Sequence, residues 1–278
     1  MKNILKIMLM MITIFTIAGS AVYAAEIPVS DQDQLITSSD WTEISNLQDE
    51  MKKEEPDATI DYDKALKVYV DCNLMKLQTA DTKKLTSALE SANYVWVIPF
   101  KMEKTYGMFT VAKGLPLREE AKSVLTKAEQ EEVKNHAGKW MITEIAEHTV
   151  EPYYDILLEK REALSDCTRV VLVGSQPGMR QPVALGMDDE TARIWISLGY
   201  QYPVMEKIPE TQNVESGVYS FDSVAEISDT YIEDSEVSTG AGVQSRSSMK
   251  YVAGIGIIVI GSILILSVLK KKKLEDYE

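Results

Sequence analysis

Two uncharged apolar runs, one at each end of the chain, set the limits on what it can fold into. The first, Ile7 to Ile17, follows Lys2 and Lys6 and gives way to the small residues Ala18 to Ala25. That order of basic, apolar and small residues is the order of a secretory signal peptide. Val22 and Ala24 suit the narrow pockets of signal peptidase, so residues 1–24 are expected to be removed, with a cut after Ala21 as the second choice. No Cys follows the run, which excludes a lipoprotein anchor. The second run, Val252 to Leu269, has eighteen residues. As a helix it would span roughly 27 Å, enough for a hydrocarbon core. Tyr251 stands at one end of it, and Lys270, Lys271, Lys272 and Lys273 form a stop-transfer signal at the other. The positive-inside rule places these lysines in the cytoplasm. The expectation is therefore one transmembrane helix at 251–269, a short basic-then-acidic cytoplasmic tail at 270–278, and everything between the two runs outside. The apolar run holds no ionisable residue and no G-x-x-x-G pair. Neither a proton relay nor that kind of helix dimer is expected of it.

The chain carries 29 basic and 43 acidic side chains, a formal net charge of −14. Nucleic-acid binding needs clustered Lys and Arg and is not expected. Two Cys exclude a disulfide-dense scaffold and a Cys-based structural zinc site. Residues 25–56 read as a weakly structured segment with one short helix over 41–53, on whose single face Trp41, Ile44, Leu47 and Met51 fall; Asp40 with Glu43 makes a capping-box-like start. Residues 57–208 read as one α+β ectodomain. Strands are expected at 66–70, 94–100, 106–111, 140–150, 169–173 and 192–198, from alternating or continuous apolar runs. In the first of these, Lys67, Tyr69 and Asp71 are expected on the solvent side. Helices are expected after Asp81, after Pro116 and after Pro152. The fold class is thus α+β: a single extracytoplasmic domain with a mixed sheet and about three helices, plus the C-terminal transmembrane helix. Residues 209–250, acidic and Ser-rich, read as a stalk that would hold the domain roughly 35 Å from the membrane.

Motifs with specific chemistry are scarce. Ser175, Gln176 and Arg180 follow the expected central strand at 169–173, and loops beyond strand ends are where α/β sheets bind ligands. This is the place to look first for a ligand-binding pocket, although G-x-S-x-G is absent. Cys72 and Cys167 lie outside the membrane with no third Cys, so either they form one disulfide or both are buried and reduced. His136 reads as a helix-end residue. His148 shares a strand face with Glu144, but H-E-x-x-H is absent and no metal site is expected. The clusters Asp57, Asp61, Asp63 and Asp188, Asp189, Glu190 lack the calcium-loop pattern and read as solvated turn charges. No phosphate loop, dinucleotide fingerprint, L-P-x-T-G or N-x-S/T sequon occurs, and no cofactor or catalytic residue is assigned.

The sequence therefore reads as a single-pass protein of the cell membrane, its N-terminal domain outside and its C-terminus in the cytoplasm. The short lysine-bearing signal and the missing glycosylation sequons point to a bacterial cell. The ectodomain reads as a non-catalytic binding or interaction domain for a protein, peptide or glycan partner. Two alternatives stand beside it: an anchored hydrolase using Ser175 or Cys167, and an accessory subunit of an envelope or transport complex.

Overall fold

Residues 28–35 do not trail from the domain; they are built into the middle of its sheet. The computed structural model describes residues 27–148, 151–174, 176–179, 181–200, 202–210 and 213–235. In chain order the strands are β1 (Thr59–Ile60), β2 (Leu66–Val70), β3 (Asn93–Lys101), β4 (Tyr106–Lys113) and β5 (Trp140–His148). They continue with β6 (Arg169–Val173), β7 (Val183–Met187), β8 (Ala192–Ile196), β9 (Asn213–Glu215) and β10 (Val218–Ser220). The helices are α1 (Trp41–Ile44), α2 (Gln48–Glu54), α3 (Thr82–Glu90), α4 (Glu119–Lys122), α5 (Lys127–His136), α6 (Tyr153–Glu159) and α7 (Phe221–Ser235). A 3-10 turn at Ser45–Leu47 joins α1 to α2.

One mixed sheet runs β5-β4-β3-β2-β6-β7-β8-β10-β9, with β1 paired to β3. Every ladder between these strands is antiparallel except β2 with β6. That parallel pair registers Val68 with Leu172 and Tyr69 with Val173. Toward their N-terminal ends the two strands part, and residues 28–35 fill the gap. Val29 bridges Val170 in parallel, the Val170 N–H donates to Pro28 O at 2.8 Å, and Leu35 N–H donates to Ala65 O at 3.2 Å. The wedge exists because each backbone group opened by the parting strands needs a partner.

Alternation along the strands sends apolar side chains to both faces. On one face Leu66, Val68, Val97, Val170, Leu172 and Ile196 pack with Tyr153 and Leu157 of α6. The other face carries two clusters. Trp96, Ile98, Phe100, Phe109 and Val111 meet Leu35, Ile44 and Met51 of the N-terminal segment. Val171, Leu185 and Trp195 meet Leu85 and Leu89 of α3 and Phe221 and Val224 of α7. Asp81 starts α3 by accepting from the Lys83 and Lys84 N–H groups, as the sequence suggests. The hairpin β3–β4 and the strands at 66–70, 140–148 and 169–173 also form where expected.

The fold class needs correcting at its C-terminal end. The α+β domain is built around a large mixed sheet, and no helix among the described residues is long and apolar enough to cross a membrane. The expected spanning segment 251–269, Lys270 to Lys273 and the signal peptide 1–24 lie outside the described residues. Other expectations change as well. The 25–56 segment is not loose: Ile27, Val29, Leu35, Ile44 and Met51 are all buried. The first part of the expected stalk folds: β9, β10 and α7 occupy 213–235, with Val218 and Val224 fully buried. The helix expected from Pro116 is the short α4 followed by α5, which starts from a Thr126–Glu129 capping box and buries none of its residues. Strand β7 lies outside the expected strands: Gly186 interrupts its short apolar run, and with all five residues buried it shows no polar–apolar alternation. Gly186 is required there by space, since a Cβ would stand 2.8 Å from Cys167 Sγ and 2.9 Å from Ile194.

Candidate functional site

The side of β2 expected to face solvent is instead covered. Tyr69 is 6% exposed and Lys67 is half-buried, because residues 30–40 lie across them. The cover is held by Asp33, itself 2% exposed. Its carboxylate accepts from Ser30 Oγ at 2.6 Å, from Tyr69 Oη at 2.8 Å and from Arg169 Nη2 at 3.0 Å. Lys67 Nζ stands 3.7 Å from it. The Lys67 ammonium also sits over the Tyr94 ring, 4.5 Å from its centroid, and 5.2 Å from that of Trp96. Burial pulls the lysine's pKa down, and the charges of Asp33 and Asp40 oppose that pull. Burial first, then Asp33, pushes the Tyr69 phenol well up, so it stays a donor at neutral pH.

Asp40 is the second anchor. It does not cap α1, as its position suggested. Its Oδ2 turns inward and accepts from Tyr94 Oη at 2.8 Å and from Trp96 Nε1 at 3.0 Å. A buried indole N–H and a phenol otherwise lacking acceptors outweigh one helix cap. The next residue is Trp41, so these bonds fix where the Trp41 ring emerges.

That ring forms one wall of an open cleft of about 490 Å³. Ile36 comes from the turn before α1, Ile60 from β1, and Tyr62 and Asp63 from the turn between β1 and β2. Lys101 ends β3, where it pairs with Thr59. Trp41 and Tyr62 meet edge to face, centroids 5.2 Å apart and planes at 69°. The Tyr62 hydroxyl points back to Met51 Sδ at 3.7 Å, and burial raises its pKa. Asp61 is 3.7 Å from Lys64, which pairs more closely with Asp155 at 2.8 Å. Ile36 is 39% exposed. The lining thus offers aromatic and aliphatic surface bordered by carboxylates and one ammonium.

The residues singled out from the sequence fall elsewhere. Ser175 and Arg180 lie outside the described residues. Gln176 is 3% exposed and fully engaged: Oε1 accepts from Leu74 N–H at 2.9 Å, while Nε2 donates to Cys72 O at 2.7 Å and Gly174 O at 3.0 Å. It clips two loops together. Cys72 and Cys167 are both free thiols, which corrects the disulfide alternative. Cys72 follows the end of β2 and Cys167 precedes the start of its parallel neighbour β6. Parallel strands put those two positions at opposite ends of the sheet, roughly 20 Å apart at about 3.3 Å per residue. A disulfide tolerates less than about 7 Å between Cα atoms. Burial pushes each thiol up to about 11. His136 closes α5 against Gly114, just past β4, whereas Cys167 packs against Gly186 of β7. Four strand spacings, roughly 19 Å, separate these positions, so the two cannot form a dyad. His148 lies in the edge strand β5. Among the described residues no group of three or more His, Cys, Asp or Glu could hold a metal. Asp188 serves a turn: it accepts from the Thr191 and Glu190 N–H groups, which hold its carboxyl below the usual range.

Lys67 and Arg169 look solvated in the sequence because they are charged residues on strands, and Asp33 because it sits in a short acidic turn. It placed Trp41 on the correct helix but saw only a core stripe. A Trp followed about twenty residues later by a Tyr among acids was the one available signal for the cleft. No family model, curated protein or solved structure matches the chain.

Proposed function

We propose that this domain is a non-catalytic binding module that works outside the cytoplasm, with the Trp41–Tyr62 cleft as its docking place. The observation that carries the reading is the cleft itself. It joins partly exposed aromatic and aliphatic surface to polar groups, and the segment that carries Ile36 and Trp41 is held by the bonds of Asp33 and Asp40. A site whose walls are pre-ordered loses less entropy on binding. The volume falls within the range of ligand sites, and its openness suits a segment of a larger partner. The hydrolase alternative through Cys167 is disfavoured. Its thiol is buried with its pKa pushed up to about 11, the reverse of an activated nucleophile.

The outward location rests on the sequence: the basic, apolar, small-residue order at the start and the apolar run followed by four lysines at the end. These favour retention at the outer face of a bacterial cell membrane. Protease added to intact cells should then degrade the domain, and full protection would overturn the location. For the binding reading, the labelled full chain is incubated with isolated cell envelopes and sedimented. Wild type should co-sediment and Trp41→Ala should lose most of that retention. Equal retention of both would overturn the cleft as the docking place.

A further inference from the structure

We propose that the cleft takes a neutral oligosaccharide, a deepening that rests on the binding reading above. The argument starts from what the lining can and cannot satisfy. Trp41 is partly exposed beside Tyr62, which offers a ring surface for the C–H face of a pyranose. Aliphatic surface continues from the rings through Ile36 and Ile60. Around this strip the polar groups have spare capacity. Asp63 is exposed and has no ion-pair or hydrogen-bond partner among the described residues. Lys101 is exposed, with only a distant contact to the Tyr106 ring, 5.8 Å from its centroid.

The charges discriminate between ligand classes. A carboxylate with four lone-pair sites can accept from two neighbouring hydroxyls, and an ammonium can donate to ring or hydroxyl oxygens. Sugar hydroxyls do both. An acidic polymer would meet Asp61 and Asp63 as well as a strongly acidic chain, and like charges repel. A basic segment would meet the Lys101 ammonium of the same lining, a like charge. A neutral polyol with one apolar face hydrogen-bonds to the carboxylates and the ammonium, covers the rings, and brings no like charge to either sign. The cleft is open to solvent rather than enclosed and has room for more than one sugar ring, so an oligosaccharide fits it better than a free monosaccharide.

The four tryptophans supply the test. Trp96 and Trp195 are fully buried and Trp140 is 7% exposed, so Trp41 alone is placed to report on the cleft. The full chain, kept in a detergent without sugar headgroups, is titrated with hexasaccharides of β-1,4-linked N-acetylglucosamine, β-1,4-linked glucose and α-1,4-linked glucose. Hexalysine and hexaglutamate serve as charged probes. The expected result is a saturable blue shift with at least one hexasaccharide and none with either charged peptide. Asp63→Ala should weaken that affinity about tenfold, and Tyr62→Ala at least as much. Asp63 is exposed, so its replacement leaves folding intact if Tyr62→Ala does not. A response to hexalysine and to no sugar overturns the glycan class while leaving the cleft a binding site. No response to any probe also overturns it, and Trp41-dependent retention on envelopes would still support the broader reading. Sugar binding unchanged by both substitutions overturns the assignment of the cleft.

Discussion

Replacing Asp33 by Asn keeps the side chain's shape and removes its charge, in a place where that charge does four things. In the native protein the carboxylate accepts from Ser30, Tyr69 and Arg169 and faces Lys67. In Asp33→Asn two cations, with side chains 11% and 17% exposed, remain near one another without a counter-charge. Breaking a buried pair by removing one partner costs about 3–5 kcal/mol, because the remaining charge stays desolvated. The amide keeps one acceptor oxygen, so the low end, about 3 kcal/mol, is the expected loss. For a domain near 200 residues each kcal/mol moves Tm by roughly 2–4 °C, so Tm should fall by roughly 6–12 °C. Urea unfolding followed by tryptophan fluorescence reads the change directly, with Trp96 beside the site. The companion variant Lys67→Met removes one of the stranded cations. The double variant should therefore be more stable than Asp33→Asn alone, a coupling of about 1 kcal/mol or more. An Asp33→Asn variant within about 1 kcal/mol of wild type, with an unchanged urea slope, would refute the claim that this carboxylate holds the N-terminal segment down.

The remaining expectations are simpler to state. Gln176→Leu removes partners from the Leu74 N–H and from the Cys72 and Gly174 carbonyls, and should cost about 2–4 kcal/mol in a urea titration. The same variant should speed labelling of Cys72 by a thiol reagent. Gly107→Ala would bring a Cβ within 2.1 Å of the Phe100 ring, which is already packed on Phe109 with centroids 4.6 Å apart. Overpacking of this kind should lower stability by about 1–3 kcal/mol, seen as a lower Tm. Alkaline pH should unfold the protein early. Cys72 and Cys167 shift from an ordinary value near 9 up to about 11, and burial raises the Tyr69, Tyr94 and Tyr202 phenols too. Each raised group favours its neutral form in the fold, so its contribution is complete below its unfolded pKa and is lost as pH rises through the folded one. Stability measured from pH 8 to 11 should fall across that window, and a flat profile would contradict the burial of these groups.

Where the sequence could be read, local chemistry decided the structure. Strand β6 is a short apolar run rich in β-branched Val and lies at the parallel centre of the sheet. Asp81 had a helix to cap and capped it. Where the reading went wrong, a distant partner decided. Asp40 looked like a cap, but Tyr94 and Trp96 bring it two buried donors from over fifty residues away. Lys67 looked solvated until residues 30–40 covered it. Gln176 looked like a pocket residue, yet its amide is consumed by loops a hundred positions off. The segment at 213–235 looked like stalk because its apolar residues are sparse; Phe221 stacked on Trp195 shows that a few suffice when a sheet is ready to receive them. The cleft was the least legible part, since its walls come from four segments that only the fold brings together.

The wedge of residues 28–35 sets a schedule for the chain. Asp33 and Arg169 are 136 positions apart, and Val29 closes on Val170 over a similar span. Long-range pairings of this kind form late, since the loop must close before the contact repays it. While the chain is being made, residues 28–35 must wait without their sheet partners until β6 has followed. Throughout that wait Ile27, Val29 and Leu35 have no core to enter, and they stay open to chaperones. The cleft comes into being only when the wait ends, because Ile36 and Trp41 are carried into place by the same segment.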